Sequence, residues 1–67
     1  MEAVKLLRLI LQIGQGELAE LAGVSRRELS RIEKAEVMPS RDVAKAIDQA
    51  FLGVIYRRAS ASREGNA

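Results

Sequence analysis

A cluster of cationic side chains at helical spacing is the part of this sequence best suited to binding chemistry. At about 100° per residue, a helix carries on one arc of about 140° the side chains of Arg26, Arg27, Ser30, Arg31 and Lys34. Glu28 and Glu33 flank that arc without interrupting it, although the net charge of the whole chain is only +2. The major groove of DNA admits one α-helix, and arginine can donate two hydrogen bonds to a guanine. The cluster therefore favours a DNA-reading helix over its alternative, an ordinary solvated helix face.

Short elements must hold that cluster in place, and four segments of helical periodicity supply them. The segments cover approximately residues 2–12, 15–22, 25–34 and 41–52. Gly23 ends the second segment where a left-handed C-cap belongs, and Ser25 with Glu28 forms a capping box that opens the third. Pro39 cannot continue a helix, so a new start is expected at Ser40. The cluster thus lies on the second helix of a helix-turn-helix pair, where the first turn usually meets the bases.

Length and composition limit the chain to one small all-helical unit. Its 67 residues suffice for one domain, and the abundance of Ala and Leu with a single Pro favours helices over strands. There is no Cys and no His to act as base, nucleophile or metal ligand. Carboxylate pairs such as Glu17 with Glu20 are more typical of a solvated surface than of an acid–base pair. We therefore expect no enzyme, no metal, no cofactor, no small-molecule substrate and no membrane span.

The C-terminal part of the chain allows two interpretations. The fourth segment either stops near Leu52 or continues through Gly53 to Arg58, because glycine costs only about 1 kcal/mol inside a helix. Residues 59–67 are small and polar, which predicts a disordered tail. We therefore assign residues 1–58 to one compact bundle of four to five short helices and residues 59–67 to the tail.

The motifs around the turn carry a resemblance to a known family. They are the run Gln15–Ser25, the run Leu29–Glu33 and the pair Pro39–Ser40. In these motifs, and over roughly residues 4–51, the chain resembles the phage repressor and Cro family, also called the XRE family. The resemblance implies a lambda-repressor-like DNA-binding domain with double-stranded DNA as its partner. One departure is Ala35, where members of the family commonly have glycine.

The resemblance also implies a role for each site residue, position by position. The residues expected at base edges are Arg26, Arg27, Ser30 and Arg31. The residues expected at DNA phosphates are Gln15, Ser25 and Lys34. A structural ion pair is expected between Arg8 and Glu33, which would tie the third helix to the first.

Several apolar residues exceed what a core of this size needs. We expect part of a homodimer contact from Leu52, Val54, Ile55 and Tyr56, the alternative being a well-filled core with ordinary exposed apolar side chains. Two copies would place their reading helices in successive major grooves. We therefore expect a bacterial or phage transcriptional regulator, a repressor that binds an inverted-repeat operator at the nucleoid in the cytoplasm. The alternative is a protein–protein interaction module, antirepressor-like or antitoxin-like, that uses the apolar C-terminal surface.

Overall fold

Four helices make up the described part of the chain. In the computed structural model, the backbone is described for residues 2–65 and the side chains for residues 2–61. The helices are α1 (Glu2–Ile10), α2 (Gln15–Ala22), α3 (Arg26–Glu33) and α4 (Arg41–Gly65), and residues 2–65 contain no strand. The predicted all-helical fold with a helix-turn-helix is confirmed. Within the same residues, no helix is both long enough and apolar enough to cross a membrane.

α2 ends in a tight chain reversal centred on Gly23, as the sequence predicts. Gly23 has a φ of 72°, and its N–H donates to the carbonyl of Glu20 at 3.2 Å. The N–H of Val24 donates to the carbonyl of Ala19 at 3.0 Å. These two bonds around a left-handed residue form a Schellman motif, in which glycine avoids the steric cost of a Cβ. The motif ends α2 and sets the direction in which α3 begins.

α1 and α3 end in the same way, but without glycine. The left-handed residue is Gln12 (φ 57°) after α1 and Ala35 (φ 60°) after α3. In both turns the following N–H donates to the carbonyl five residues earlier, at 3.1 Å after α1 and 2.9 Å after α3. The first helix, expected to reach Gln12, therefore ends at Ile10, because the chain already reverses at Gln12 and not at Gly14.

The core lies where α2 packs against both α3 and α4. Its largest fully buried side chains are Leu18, Leu29, Ile32 and Ile47. Around them lie the buried side chains of Val4, Ile13, Ala19, Ala22, Ala50, Phe51 and Val54. α1 contributes only Val4 to the buried set, while its half-buried Leu7 packs against it. α2 is thus the central helix, against which α3 is positioned.

α4 is one continuous helix. It begins after Ser40, whose Oγ accepts a hydrogen bond from the N–H of Val43 at 3.2 Å, and it runs through Gly53 to residue 65. Phe51 and Val54 are both buried on either side of Gly53, and burial of two such side chains outweighs the cost of about 1 kcal/mol for glycine. Residues 59–65 were expected in a disordered tail, but in the structure they are helical. Residues 66–67 of that expected tail lie outside the described residues.

Candidate nucleic-acid interface

α3 is fixed on its inner side and begins at a capped residue. Leu29 and Ile32 are completely buried, so they determine which face of α3 points outward. Ser25 precedes the helix in an extended conformation (φ −73°, ψ 152°), and its Oγ accepts a hydrogen bond from the N–H of Glu28 at 3.0 Å. Such a cap stabilises a helix by about 1 kcal/mol and fixes where it starts. The first turn of α3 is therefore well defined, and it contains Arg26.

The outward face of α3 carries the predicted cationic cluster. Arg26, Arg27, Arg31 and Lys34 are exposed, and Ser30 among them is half-buried. Arg26 also adjoins α2, because a Cβ placed on Gly16 would lie 4.0 Å from the Arg26 Cδ. The aliphatic part of Arg26 therefore passes close to the first turn of α2. The structure thus brings the residues expected at base edges next to the helix end that was expected to bind phosphate.

The turn after α3 adds an acidic residue that the sequence interpretation missed. Because the chain reverses at Ala35, the N–H of Glu36 donates to the carbonyl of Arg31 at 2.9 Å. The Glu36 Oε2 then lies 3.6 Å from the Arg31 Nε, with both side chains about half exposed. No helical periodicity places residue 36 beside residue 31, so only the geometry of the turn could reveal this pair. The positive charge of Arg31 is therefore partly compensated.

A polar network centred on Glu33 joins α1 to α3. The Glu33 carboxylate accepts hydrogen bonds from the Arg8 Nε at 2.9 Å and from the Arg8 Nη2 at 3.2 Å. The Arg8 Nη1 donates to the carbonyl of Ile13 at 3.2 Å, in the turn before α2. The side chains of Arg8 and Glu33 are only 12% and 3% exposed. The two residues expected to pair are thus held in a bidentate, largely buried ion pair that fixes the end of α3.

Gln15 extends this network to the first position of α2. Its Nε2 donates to the Glu33 Oε1 at 3.2 Å, a bond that the sequence did not predict. One of the two amide hydrogens of Gln15 is left for another acceptor. The residue before the helix is Gly14, which has no side chain with which to cap the first N–H groups. Uncapped N–H groups at a helix N-terminus favour an anion, so this end of α2 is suited to a phosphate.

A groove of about 670 Å³ between α1 and α3 brings one more cation to this face. Lys5 and Leu6 of α1 line it together with Ser30, Lys34 and Gln15. Lys5 was not among the predicted site residues, because its position opposite α3 depends on how α1 packs. The edge of the cationic surface therefore contains two lysines where the sequence predicted one, and the exposed carboxylate of Glu2 lines the same groove.

The four residues expected at a homodimer contact separate into two groups. Val54 is only 4% exposed and belongs to the core, which corrects that expectation. Leu52, Ile55 and Tyr56 are 64%, 43% and 74% exposed. At about 100° per residue, these three side chains share one side of α4, opposite the side that buries Ile47 and Val54. We call Leu52, Ile55 and Tyr56 the outer stripe.

The chain matches a family model over most of its length. The helix-turn-helix family model matches residues 4–51, a range that begins in α1, contains α2, the turn and α3, and ends within α4. No curated protein and no solved structure gives a match. The expected interface residues, from Arg8 to Lys34, all lie inside the matched range, whereas the outer stripe lies beyond it.

Proposed function

Because the chain belongs to the helix-turn-helix family of the XRE/Cro/C1 type, a family of DNA-binding domains, we propose that it is a sequence-specific transcriptional regulator. It binds an inverted-repeat operator as a homodimer and represses transcription at the nucleoid in the cytoplasm. The observation that supports this proposal is the pair of exposed arginines, Arg26 and Arg27, on the first turn of a helix whose inner side is fully buried. A binding group on a rigid, well-packed helix keeps the orientation that specific recognition needs.

In the proposed complex, α3 lies in the major groove and reads base edges from its first turn. Arg26 and Arg27 each donate two hydrogen bonds to the O6 and N7 of a guanine. Each such pair discriminates against the wrong base by about 1–3 kcal/mol. Ser30 and Arg31 follow one turn later on the same face and contact the next base pairs. Because Glu36 partly compensates Arg31, we expect weaker discrimination there than at the first two positions.

Phosphate contacts keep α3 in register on the duplex. Gln15 donates its remaining amide hydrogen, together with the first N–H groups of α2, to one phosphate. The hydroxyl of Ser25 accepts from Glu28 and still has its own hydrogen to donate to a phosphate. Lys34 supplies a point charge at the other end of α3. Contacts of this kind carry little sequence information, but they make affinity fall steeply with salt.

The outer stripe of α4 supports the proposed homodimer. Its three large apolar side chains are exposed and adjacent on one side of the helix. A contiguous apolar patch on a small domain is typical of an association surface. Two domains joined through this stripe would present two copies of α3 to successive major grooves, about 34–36 Å apart.

The test is selection of bound duplexes from a random pool at several salt concentrations, with three proteins. The wild type should select a two-fold symmetric sequence and lose affinity steeply as salt rises. Arg26→Lys/Arg27→Lys keeps both charges but loses the bidentate geometry, so binding should remain salt-dependent while the preference for guanine disappears. Arg26→Ala/Arg27→Ala should lose the preference and also show a shallower salt dependence. A wild type that stays folded and binds no duplex at low salt would contradict the proposal.

The exposed outer stripe also favours a second candidate function, a protein–protein interaction module. In that case the apolar C-terminal surface is the working surface, and the helix-turn-helix serves as its scaffold. Apolar association depends weakly on salt, whereas DNA binding depends on it strongly. Sedimentation of the wild type and of Leu52→Asp, with and without duplex DNA at two salt concentrations, separates the two functions. Self-association that persists at high salt without any DNA binding would favour the interaction module.

A further inference from the structure

The last part of α4 continues beyond the core. Val54 is the last residue of the helix that is buried among the described side chains. From residue 55 to residue 61 every side chain is exposed except the half-buried Ser60. The helix backbone nevertheless continues to residue 65, which at 1.5 Å per residue extends it by roughly 16 Å. We call residues 55–61 the α4 extension.

The α4 extension passes the first turn of α2. Leu21, at the end of α2, lines a groove with residues from Ala46 to Arg57 of α4. Glu17, at the start of α2, lines a second groove, of about 320 Å³, with Val54, Arg57, Arg58 and Ala61. α2 therefore runs antiparallel to α4, and the later residues of α4 lie beside its N-terminus. That N-terminus is where Gln15 and the uncapped N–H groups were placed at a DNA phosphate.

The charges of the α4 extension are positive and accessible. Arg57 and Arg58 are both exposed, and the Nε of Arg57 donates to the carbonyl of Gly53 at 3.4 Å within the helix. The ion pairs among the described side chains do not include Arg58. Glu17 is the acidic residue in the same groove. Two arginines beside one carboxylate leave a net positive charge at this edge of the molecule.

We propose that the α4 extension is a second contact to the DNA backbone, with Arg58 binding a phosphate next to the one at the N-terminus of α2. This inference rests on the proposed DNA-binding function. Arg57 and Arg58 lie on the side of α4 that carries Val54 and Ala61, whereas the outer stripe lies on the opposite side. The side of the extension that carries Arg57 and Arg58 can therefore contact DNA while the outer stripe contacts a second copy. Arg58 also offsets the charge of Glu17, which would otherwise repel a phosphate at this end of α2.

The experiment measures the dissociation constant of the selected duplex as a function of salt for the wild type, Arg58→Gln and Lys45→Gln. Lys45 is a matched control, because it is an exposed cation of the same helix on the side of the outer stripe and outside the groove. Each lost phosphate contact lowers the slope of log affinity against log salt by about 0.9. We expect that decrease for Arg58→Gln, with a loss of affinity of roughly five- to tenfold at 0.1 M salt, and no change of slope for Lys45→Gln.

A second duplex distinguishes a backbone contact from a general charge effect. When the duplex is truncated so that the phosphates at and beyond the N-terminus of α2 are absent, Arg58→Gln and the wild type should bind with the same slope of log affinity against log salt. If Arg58→Gln and the wild type show equal slopes of log affinity against log salt on the full-length duplex, the inference is overturned. If, in addition, Arg58→Gln lowers the melting temperature, Arg58 is a structural partner of Glu17 instead. If the wild type itself binds no DNA, the proposed function fails; if the wild type binds and Arg58→Gln matches it, only this inference fails.

Discussion

Residues 2–40 and residues 41–65 form helices of different kinds. The first region holds three helices of nine, eight and eight residues, each followed by a left-handed residue. The second region is one helix of 25 residues, and Gly53 within it has no positive φ. Among the described residues, the left-handed positions are Gln12, Gly23 and Ala35. The ends of α1, α2 and α3 are therefore set by hydrogen-bonded turns, and of these three only the end of α2 uses glycine.

The two regions consequently offer different surfaces. Short helices bring several helix ends together, so that the start of α2 and the end of α3 meet through the hydrogen bond between Gln15 and Glu33. The long helix instead presents its sides, with the outer stripe on one and Arg58 on another. Packing differs too, because α3 buries three of its eight residues, while no described side chain after Val54 is buried. Precise positioning belongs to the first region and a broad contact area to the second.

The largest effect is expected when the polar network centred on Glu33 is broken. Glu33→Ala leaves Arg8 largely buried without its carboxylate, and loss of one partner of a buried ion pair costs about 3–5 kcal/mol. The exposed pair of the same residue types is the control, because Glu36→Ala should change the free energy of unfolding by at most about 1 kcal/mol. Urea denaturation followed by circular dichroism measures both.

Glu33→Ala can leave too little folded protein for a denaturation curve, since domains of this size are only marginally stable. Glu33→Gln keeps the shape and part of the hydrogen bonding, and it should give an intermediate loss of stability. Equal stabilities for Glu33→Ala and Glu36→Ala would show that the network does not anchor α3.

The second prediction makes the same substitution in both regions. Leu29→Ala removes a side chain that is 0% exposed and should cost about 2–5 kcal/mol. Leu52→Ala removes one that is 64% exposed and should change the monomer's stability by no more than about 0.5 kcal/mol. Thermal unfolding at a protein concentration where sedimentation shows a monomer provides the comparison. Similar losses for the two variants would mean that Leu52 is packed against the core after all.

The smallest expected effect concerns the turns that close the short helices. A Cβ on Gly23 would meet no atom within 4 Å, so Gly23→Ala should lose about 1 kcal/mol through the left-handed backbone alone. Ala35→Gly should act in the opposite direction and stabilise the protein by up to about 1 kcal/mol. For a domain of this size, 1 kcal/mol corresponds to about 4–8 °C in melting temperature. Shifts of the same sign for the two variants would contradict the left-handed conformation at residue 35.

The parts of the fold that depend on local interactions could be predicted from the sequence. Gly23 and Ser25 act on their immediate neighbours, so the turn between α2 and α3 was recognisable from a few residues. The end of α1 at Ile10 could not be predicted in this way, because the chain reverses at Gln12 and a non-glycine residue in the left-handed region gives no sequence signal. The continuation of α4 beyond Arg58 was also missed, since the small polar residues there are equally compatible with a helix and with a coil.

The candidate site was predictable to a similar extent. The cationic face of α3 follows from periodicity alone, and the resemblance supplied the pairing of Arg8 with Glu33. The bond from Gln15 to Glu33 and the presence of Lys5 and Lys34 in one groove depend on how helices pack, so no spacing in the sequence could reveal them. Val54 was grouped with the surplus apolar residues because the sequence left open whether the helix continues past Gly53, and only the continuous path of α4 shows that it points into the core.

The weak apolar attachment of α1 has a consequence for the motions of the protein. α1 buries a single side chain, Val4, and its strongest tie is the hydrogen-bonded pair of Arg8 and Glu33. A segment with so little buried apolar surface opens at a lower free energy than the rest of the domain, so its amide hydrogens should exchange with solvent before those of α2 and α3. Each opening deprives Glu33 of Arg8 and loosens the end of α3. DNA affinity should therefore decline with warming before the global unfolding transition begins.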